Sequence, residues 1–576
     1  MFLRTVKVKQ KGGVAEFVQL VENQRSPKTG LSQSKVLYHF GRREQLDLAA
    51  LQRLVKSIGR FLGPEDAAAV AELSTPLPLF AFLGSRQLGG SWLLDGLWKR
   101  LQIDRTLHQV LQKRGFSIPI ERLLFALVAD RALAPSSKLA MEHWVSQEVS
   151  IPGLPAVEVQ HLYRAMDFLI EASEELQHDV FFTVANLLNL EVDLIFLDTT
   201  STYFEIEGED ADEEGRDGLR KRGHSKDHRP DQAQVVIAFA VTRTGIPVRC
   251  WVWPGNTSDQ ALLEEVKHDL NGWHLGRVVT VADTGFNSEA NRRLLQQAGG
   301  HYILGEKLRQ GPKGAPVEVL SHPGKFRKLP NDLEIKEVIL DEGSALWRRF
   351  VIVRNPDEMR RDQAKRADIV AETERRLKAL RQLDEAHQQK AVCELRAHPV
   401  FGRYITTTPK GYLSLNRDKL ASEAHLDGKF LISSSDDRLS AEDMVMGYKQ
   451  LWMVERVWRD LKHSLDLRPV YHRLPERIRA HVLLCWLALL LIRVAENETQ
   501  QTWWQLKKTL STLQLGIHEL PAGLAWLTSR LTAEQKELYA AVKVAPPPRC
   551  FDLPRPPRAG VQSASKRGPE KAGVRA

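Results

Sequence analysis

Two short apolar runs, residues 192–198 and 277–283, each end in an aspartate, Asp198 and Asp283. Runs this short and this apolar read as buried strands rather than helices. The first is followed by two more apolar stretches, residues 234–241 and 246–253, separated by Thr-Arg-Thr-Gly, a turn composition that points to antiparallel neighbours. A helical pattern over residues 259–271 precedes the second Asp-ending strand, and another begins at Asn287 before a strand at residues 301–305. Three antiparallel strands, a crossover helix and then parallel strands define an α/β fold on one mixed sheet. Open α/β sheets place their ligands at the carboxyl ends of the strands. A sheet that sets its first and fourth strands side by side therefore brings the two aspartates together.

Composition sets the wider frame. The 576 residues suggest several domains, and 43% hydrophobic content is enough for sizeable cores. A net charge of +9 favours a polyanionic partner. Cys250, Cys393, Cys485 and Cys550 are scattered without a paired spacing, which argues against a disulfide framework or a zinc ribbon. The longest apolar run, residues 482–492, is too short to span a bilayer and reads as a buried helix. No membrane role and a cytoplasmic location are expected.

The organisation expected from pattern is a β-rich module with a helix (residues 1–75) and a helical, DNA-binding region (76–190), in which Arg131, Lys138 and His143 are offered as DNA contacts. An RNase H-like core, a mixed five-stranded sheet with helices, occupies 191–310 and resumes over 428–500. An insertion domain (311–427) of strands then charged helices interrupts it. C-terminal helices (501–545) and a disordered tail (546–576) complete the chain. The tail carries seven Lys/Arg against two Asp/Glu, a composition suited to DNA contact without sequence preference.

A third carboxylate lies beyond the insertion. Tyr448, Glu455 and Lys462 recur every seven residues, which on one helix keeps them on one face, drifting only ~20° per step; Arg459 falls there too. Three converging carboxylates, Asp198, Asp283 and Glu455, repel unless a cation lies between them. Hard oxygen ligands suit Mg²⁺, with Mn²⁺ an acceptable substitute, and two such ions perform in-line phosphodiester displacement. Asp259 competes for this role, but it precedes a helix and reads as its N-cap. Between the first two strands an acidic stretch, 205–214, precedes a basic one containing Lys221, Arg222, Lys226 and Arg229. The basic half is expected to clamp phosphates.

These residues resemble the DDE transposases of bacterial insertion sequences, in particular the group with a Tyr-x2-Arg-x3-Glu-x6-Lys signature. The likeness rests on Tyr448, Glu455 and Lys462, with Leu451 where the arginine belongs, and on Leu197-Asp198-Thr-Thr, Gly255-Asn-Thr-Ser-Asp, Ala282-Asp283-Thr-Gly-Phe and Leu467-Arg-Pro-Val-Tyr-His472. The resemblance implies cut-and-paste movement of an element with terminal inverted repeats, a homodimer on DNA and a bacterial, nucleoid-associated protein. It also implies phosphate contacts from Tyr448 and Lys462, with Arg459 or Arg456 replacing the missing arginine. Trp347 is the expected stacking partner for a flipped base. A metal-dependent nuclease without strand transfer and a non-catalytic DNA-binding derivative remain as alternatives.

Overall fold

The computed structural model describes residues 1–10, 13–25, 32–47, 50, 51, 54, 81–112, 118–190, 193–212, 218–273, 278–308, 317–340, 347–468, 470–520 and 523–552. The chain divides into two compact units, Met1–Ala81 with Glu519–Gly523, and Phe82–His518 with Leu524–Ala576. The helix expected over residues 46–61 lies largely outside the described residues, as does the tail beyond residue 552.

The first unit is an antiparallel meander of β1 (Phe2–Gln10), β2 (Gly13–Arg25) and β3 (Ser32–Arg42). Val21, fully buried in the middle strand, pairs with Phe2 on one side and Val36 on the other.

The second unit is built on a nine-stranded mixed sheet. Its strands are β4 (Leu194–Tyr203), β5 (Gln234–Val241), β6 (Pro247–Pro254), β7 (Val279–Ala282), β8 (His301–Glu306), β9 (Arg327–Lys328), β10 (Glu334–Leu340), β11 (Arg348–Arg354) and β12 (Lys429–Ser434). The spatial order is β9-β10-β11-β12-β8-β7-β4-β5-β6. β4, β7 and β8 run parallel; β5 and β6 return antiparallel on one side and β12, β11 and β10 on the other. β5 is buried at every position, as expected for a strand covered on both faces. Five strands were expected in this sheet. Of the four additional ones, β12 belongs to the resumed core, and β9, β10 and β11 arise because residues 327–354, read as part of an insertion, add to the sheet through the β11–β12 pairing.

Between β11 and β12 the chain leaves as two helices, α4 (Pro356–Leu380) and α5 (Glu385–Ala397), which share a small core of Leu377, Leu380, Leu395 and Leu413. It returns to Lys429, the register partner of Arg354. At this neck Gly428 adopts φ +62, and a Cβ there would stand 2.5 Å from the Asn355 carbonyl oxygen and the Met359 nitrogen. Only glycine fits both conditions.

Helices cover the sheet. α1 (Ile120–Leu133) and α2 (Val159–Glu171) come from the region before it, α3 (Asp259–Gly272) connects β6 to β7, and α6 (Ala441–Lys449), α7 (Trp452–His463) and α8 (Pro475–Thr499) follow it. α8 is long and apolar enough to cross a membrane, but it packs against α1, α2 and β6 and is buried at every position from Ala480 to Glu496. Leu262, Leu263 and Val266 of α3 pack with Ile195, Leu197 and Ala282 in one core, and a larger one joins the other helices to the sheet. Leu487→Ala would empty part of this core and lower stability by about 2–5 kcal/mol, measured as a fall in the denaturation midpoint.

Candidate active site

The site begins with a register. β4 and β7 pair in parallel through Leu197↔Ala282, so the next residues on the two strands, Asp198 and Asp283, stand side by side where the parallel ladder stops. β4 continues to Tyr203 against β5, placing Asp198 in mid-strand rather than at the strand end expected from its apolar run. Asp283 does end its strand, and its Oδ1 accepts the Gly285 N–H at 2.7 Å. The tight turn needs Gly285: a Cβ there would lie 3.0 Å from Asp283 Oδ1 and 3.2 Å from Asp259 Oδ2.

Asp259 is therefore a member of the site that sequence reasoning assigned elsewhere. Ser258 is the cap residue of α3, and the Asp259 carboxylate turns toward β4. Its Oδ1 accepts the Thr199 hydroxyl at 2.6 Å. Lys226 reaches the same point from the loop after β4. Its ammonium donates to the Thr199 carbonyl (2.7 Å) and hydroxyl oxygen (2.6 Å), and lies 3.6 Å from Asp198 Oδ1 and 3.7 Å from Asp259 Oδ2. It is thus an internal cation among carboxylates rather than a free phosphate clamp.

Asp198 accepts from its neighbour Thr199 N–H at 2.7 Å and from the Trp458 indole N–H at 3.0 Å. Trp458 also meets Phe239, the register partner of Asp198, edge to face at 5.2 Å. This pins α7 to the strand and places Glu455 one turn from the contact. Glu455 is exposed and makes no ion pair among the described residues. Nor are any three acidic, histidine or cysteine side chains there close enough to share one ion. Tyr448 lies against the bare backbone of Gly305, where a Cβ would be 2.2 Å from its hydroxyl. Burial first, then the negative charges of Asp283, Glu306 and Glu455, push its phenol up to about 12.

The single helix expected to carry Tyr448, Glu455 and Lys462 is two helices. α6 ends at Lys449 and α7 begins at Trp452. Between them Leu451 N–H and Val454 N–H each bond three residues back, a tightened turn that breaks the seven-residue phase. Leu451, where the signature has arginine, packs into the core. Arg456 is tied to Glu496 at 2.9 Å, while Arg459 is exposed and without an ion pair among the described residues. Lys462 is held by Asp227 at 2.8 Å, and Arg468 by the same carboxylate at 2.9 Å.

The polarised loop folds back on itself. Arg220 pairs with Asp210 at 2.6 Å, Lys221 with Asp212 at 2.6 Å and Arg222 with Glu209 at 3.9 Å. Arg229 pairs with Asp231 at 2.9 Å and covers the Tyr203 ring. Trp347 stands half-buried immediately before β11.

Residues 194–491, more than half of the chain, match the transposase DDE domain. The chain belongs to the DDE-domain transposase family. Residues 3–69 match the N-terminal domain of the IS1634 family transposases, so the protein is an insertion-sequence transposase. Among solved structures, a piggyBac transposase synaptic complex with hairpin DNA is similar over 73% of this chain and 76% of that one, at 11% identity and a TM-score of 0.31. No curated protein matches the chain. DDE domains act on DNA as nucleases and strand transferases and generally use divalent metal ions.

Burial, reinforced by Asp283 and Asp259 and opposed by Lys226, raises the Asp198 carboxyl to about 6. The folded value lies above the ordinary 3.8, so the metal-free fold is favoured below about pH 4 and loses stability as pH rises through 6. Asp198→Asn is expected to abolish this loss, leaving the metal-free protein more stable than wild type at pH 7–8 by on the order of 2 kcal/mol. Thermal melts between pH 4 and 8 in chelator measure it; an unchanged pH slope would refute the assignment.

Proposed function

We propose that Asp198, Asp283 and Glu455 form the catalytic triad of an RNase H-like core that moves an insertion sequence by cut and paste. The observation that carries this reading is the Leu197↔Ala282 register, which sets Asp198 beside Asp283. The order β6-β5-β4-β7-β8, with its first three strands antiparallel and its last three parallel, supports the RNase H-like assignment. Membership of the DDE-domain family supports the chemistry.

The donor set suits a hard divalent cation, Mg²⁺ first, with Mn²⁺ as substitute: all candidates are carboxylate oxygens. Burial first, then the charges of Asp283 and Asp259, raise Asp198 despite Lys226, so further positive charge would be favoured there. Asp198 and Asp283 would hold it from the sheet and Glu455 from α7. When bound, the metal neutralises the carboxylates and makes a water or hydroxyl a competent nucleophile.

The chain's own residues supply the rest. The Trp458 N–H fixes the orientation of one Asp198 oxygen and Thr199 N–H that of the other. The Tyr448 phenol, kept neutral by its surroundings, donates a hydrogen bond to a phosphate oxygen, and Arg459 adds charge at the exposed face of α7. Water attacks phosphorus at the element end and the 3′ oxygen leaves with a proton. The freed 3′ hydroxyl then attacks a target phosphate, so the number of phosphodiester bonds is conserved in joining. Two ends must be held together, which favours a homodimer on DNA.

Asp198→Asn, Asp283→Asn and Glu455→Gln should each lower end cleavage and strand transfer by at least about a thousandfold, the scale of several kcal/mol of transition-state stabilisation. Binding of a duplex carrying the inverted repeat should persist. Gel assays with Mg²⁺ check this. Normal turnover in any of the three would remove that residue from the triad, and cleavage without joining would reduce the protein to a nuclease.

A further inference from the structure

Arg468 and residues 470–473, beyond α7, wall two neighbouring spaces that the active site does not use. The larger is an open groove of about 680 Å³ lined by Tyr203, Glu205, Arg220, Arg468, Tyr471 and Arg473, among others. The smaller, about 160 Å³, shares Tyr471 and His472 with it and extends to Arg131, Lys138 and His481 at the end of α1 and on α8.

The small cavity is polar, buried and incompletely satisfied. Arg131 is engaged by Asp130 at 2.6 Å and by the Ser136 carbonyl, and Asp130 also accepts the Ser136 hydroxyl at 2.6 Å. Lys138 is different. It is 5% exposed and has no hydrogen bond or ion pair among the described residues. Burial first, then the Arg131 charge, push its ammonium down to about 8 against the opposing pull of Asp130. His481, 3% exposed, bonds the Leu467 carbonyl through Nε2, so that nitrogen donates and Nδ1 is a bare acceptor with no partner. Among the described residues Lys138 therefore has no acceptor bonded to it, and His481 Nδ1 has no donor. Asp466, also on its rim, is an exposed side chain.

The only carboxylate among the described residues that offsets the burial of Lys138 is Asp130, whose oxygens are already taken by Arg131 and Ser136, so the ammonium is costly to maintain. A hydrated oxyanion supplies what both groups lack: oxygens for Lys138 and a water hydrogen for His481. The adjoining groove indicates the source. It combines the exposed Arg473 and Tyr471 with Arg220 and Arg468, which Asp210 and Asp227 hold in place, and with the Tyr203 ring under Arg229 and Arg468. A cation beside an exposed ring is the pairing that follows a nucleic-acid strand by charge and base stacking. The groove also adjoins the strand that carries Asp198 and the loop that follows Lys462. We propose that this cavity seats one backbone phosphate of the bound DNA strand, with Lys138 as its principal donor, while the flanking nucleotides lie along the Tyr203–Tyr471 groove. The assignment rests on the transposase reading but not on the identity of the metal triad.

The test compares wild type with Lys138→Met on a duplex carrying one terminus of the element, across a range of salt concentrations and without metal. The variant should bind about tenfold more weakly, and the slope of log affinity against log salt should become shallower by about one, the signature of one lost phosphate contact. Its melting temperature should be equal or higher, because an unpaired buried charge has been removed; a lysine needed only for packing would give the opposite. If Lys138→Met melts lower, Lys138→Arg decides: a restored slope supports the phosphate seat and a lost one overturns it. An unchanged slope in Lys138→Met overturns the proposal. So does stabilisation of wild type by inorganic phosphate, lost in Lys138→Met, with no change in DNA slope, since that describes a free-anion site. Cleavage of the same duplex with Mg²⁺ reports on the triad separately, and Asp283→Asn should keep the wild-type slope, so failure of either reading is visible without the other.

Discussion

The burial of neighbouring carboxylates organises this site. The parallel pairing of β4 with β7 leaves no choice about where Asp198 and Asp283 stand, and α3 adds Asp259 to the same neighbourhood. Much of the surrounding structure answers that accumulation of negative charge. Lys226 is drawn in between Asp198 and Asp259, Thr199 passes a hydrogen bond to Asp259, and Trp458 and Gly285 each offer an N–H. These groups offset the cost without removing it: burial first, and Asp283 and Asp259 after it, keep the Asp198 carboxyl raised. The same imbalance that weakens the empty fold favours a bound divalent cation.

The helix that carries Glu455 is held at two points. Trp458 joins it to the sheet. Two residues on, Asp460 pairs with Arg493, a guanidinium only 2% exposed on α8 that also holds Glu496. Arg456 completes this group through Glu496. Buried ion networks of this kind are weak sources of net stability, but breaking one member leaves a charge stranded. Their effect here is positional: α7 is fixed to the core helix on one side and to the Asp198 strand on the other.

Much of this was legible in the amino-acid order. The strand sequence followed from short apolar runs, and both aspartates stood out because those runs end in them. The buried character of α8 followed from an unbroken apolar stretch. The misread features share a cause: sequence spacing specifies local conformation only while that conformation continues. A seven-residue repeat implies a common face on an unbroken helix, and the turn at Leu451 interrupts it. An aspartate that caps a helix and one that turns into a site look alike in sequence, so Asp259 was missed; the Thr199 hydroxyl that captures it is 60 positions away. A basic run does not reveal whether its acidic neighbours will fold back to neutralise it, as Asp210 and Asp212 do.

The long departure between the second and third carboxylates has a simple topology. Arg354 and Lys429 are opposite each other in the ladder, so everything between them occupies the place of a hairpin turn. The sheet's hydrogen bonding closes beneath it whether the connection is two residues or seventy-four. The β11–β12 pairing, with Gly428 at its neck, thus returns the chain to the sheet ahead of α6, Trp458 and Asp460 then seat α7, and the paired helices α4 and α5 are an outgrowth from the position of the turn.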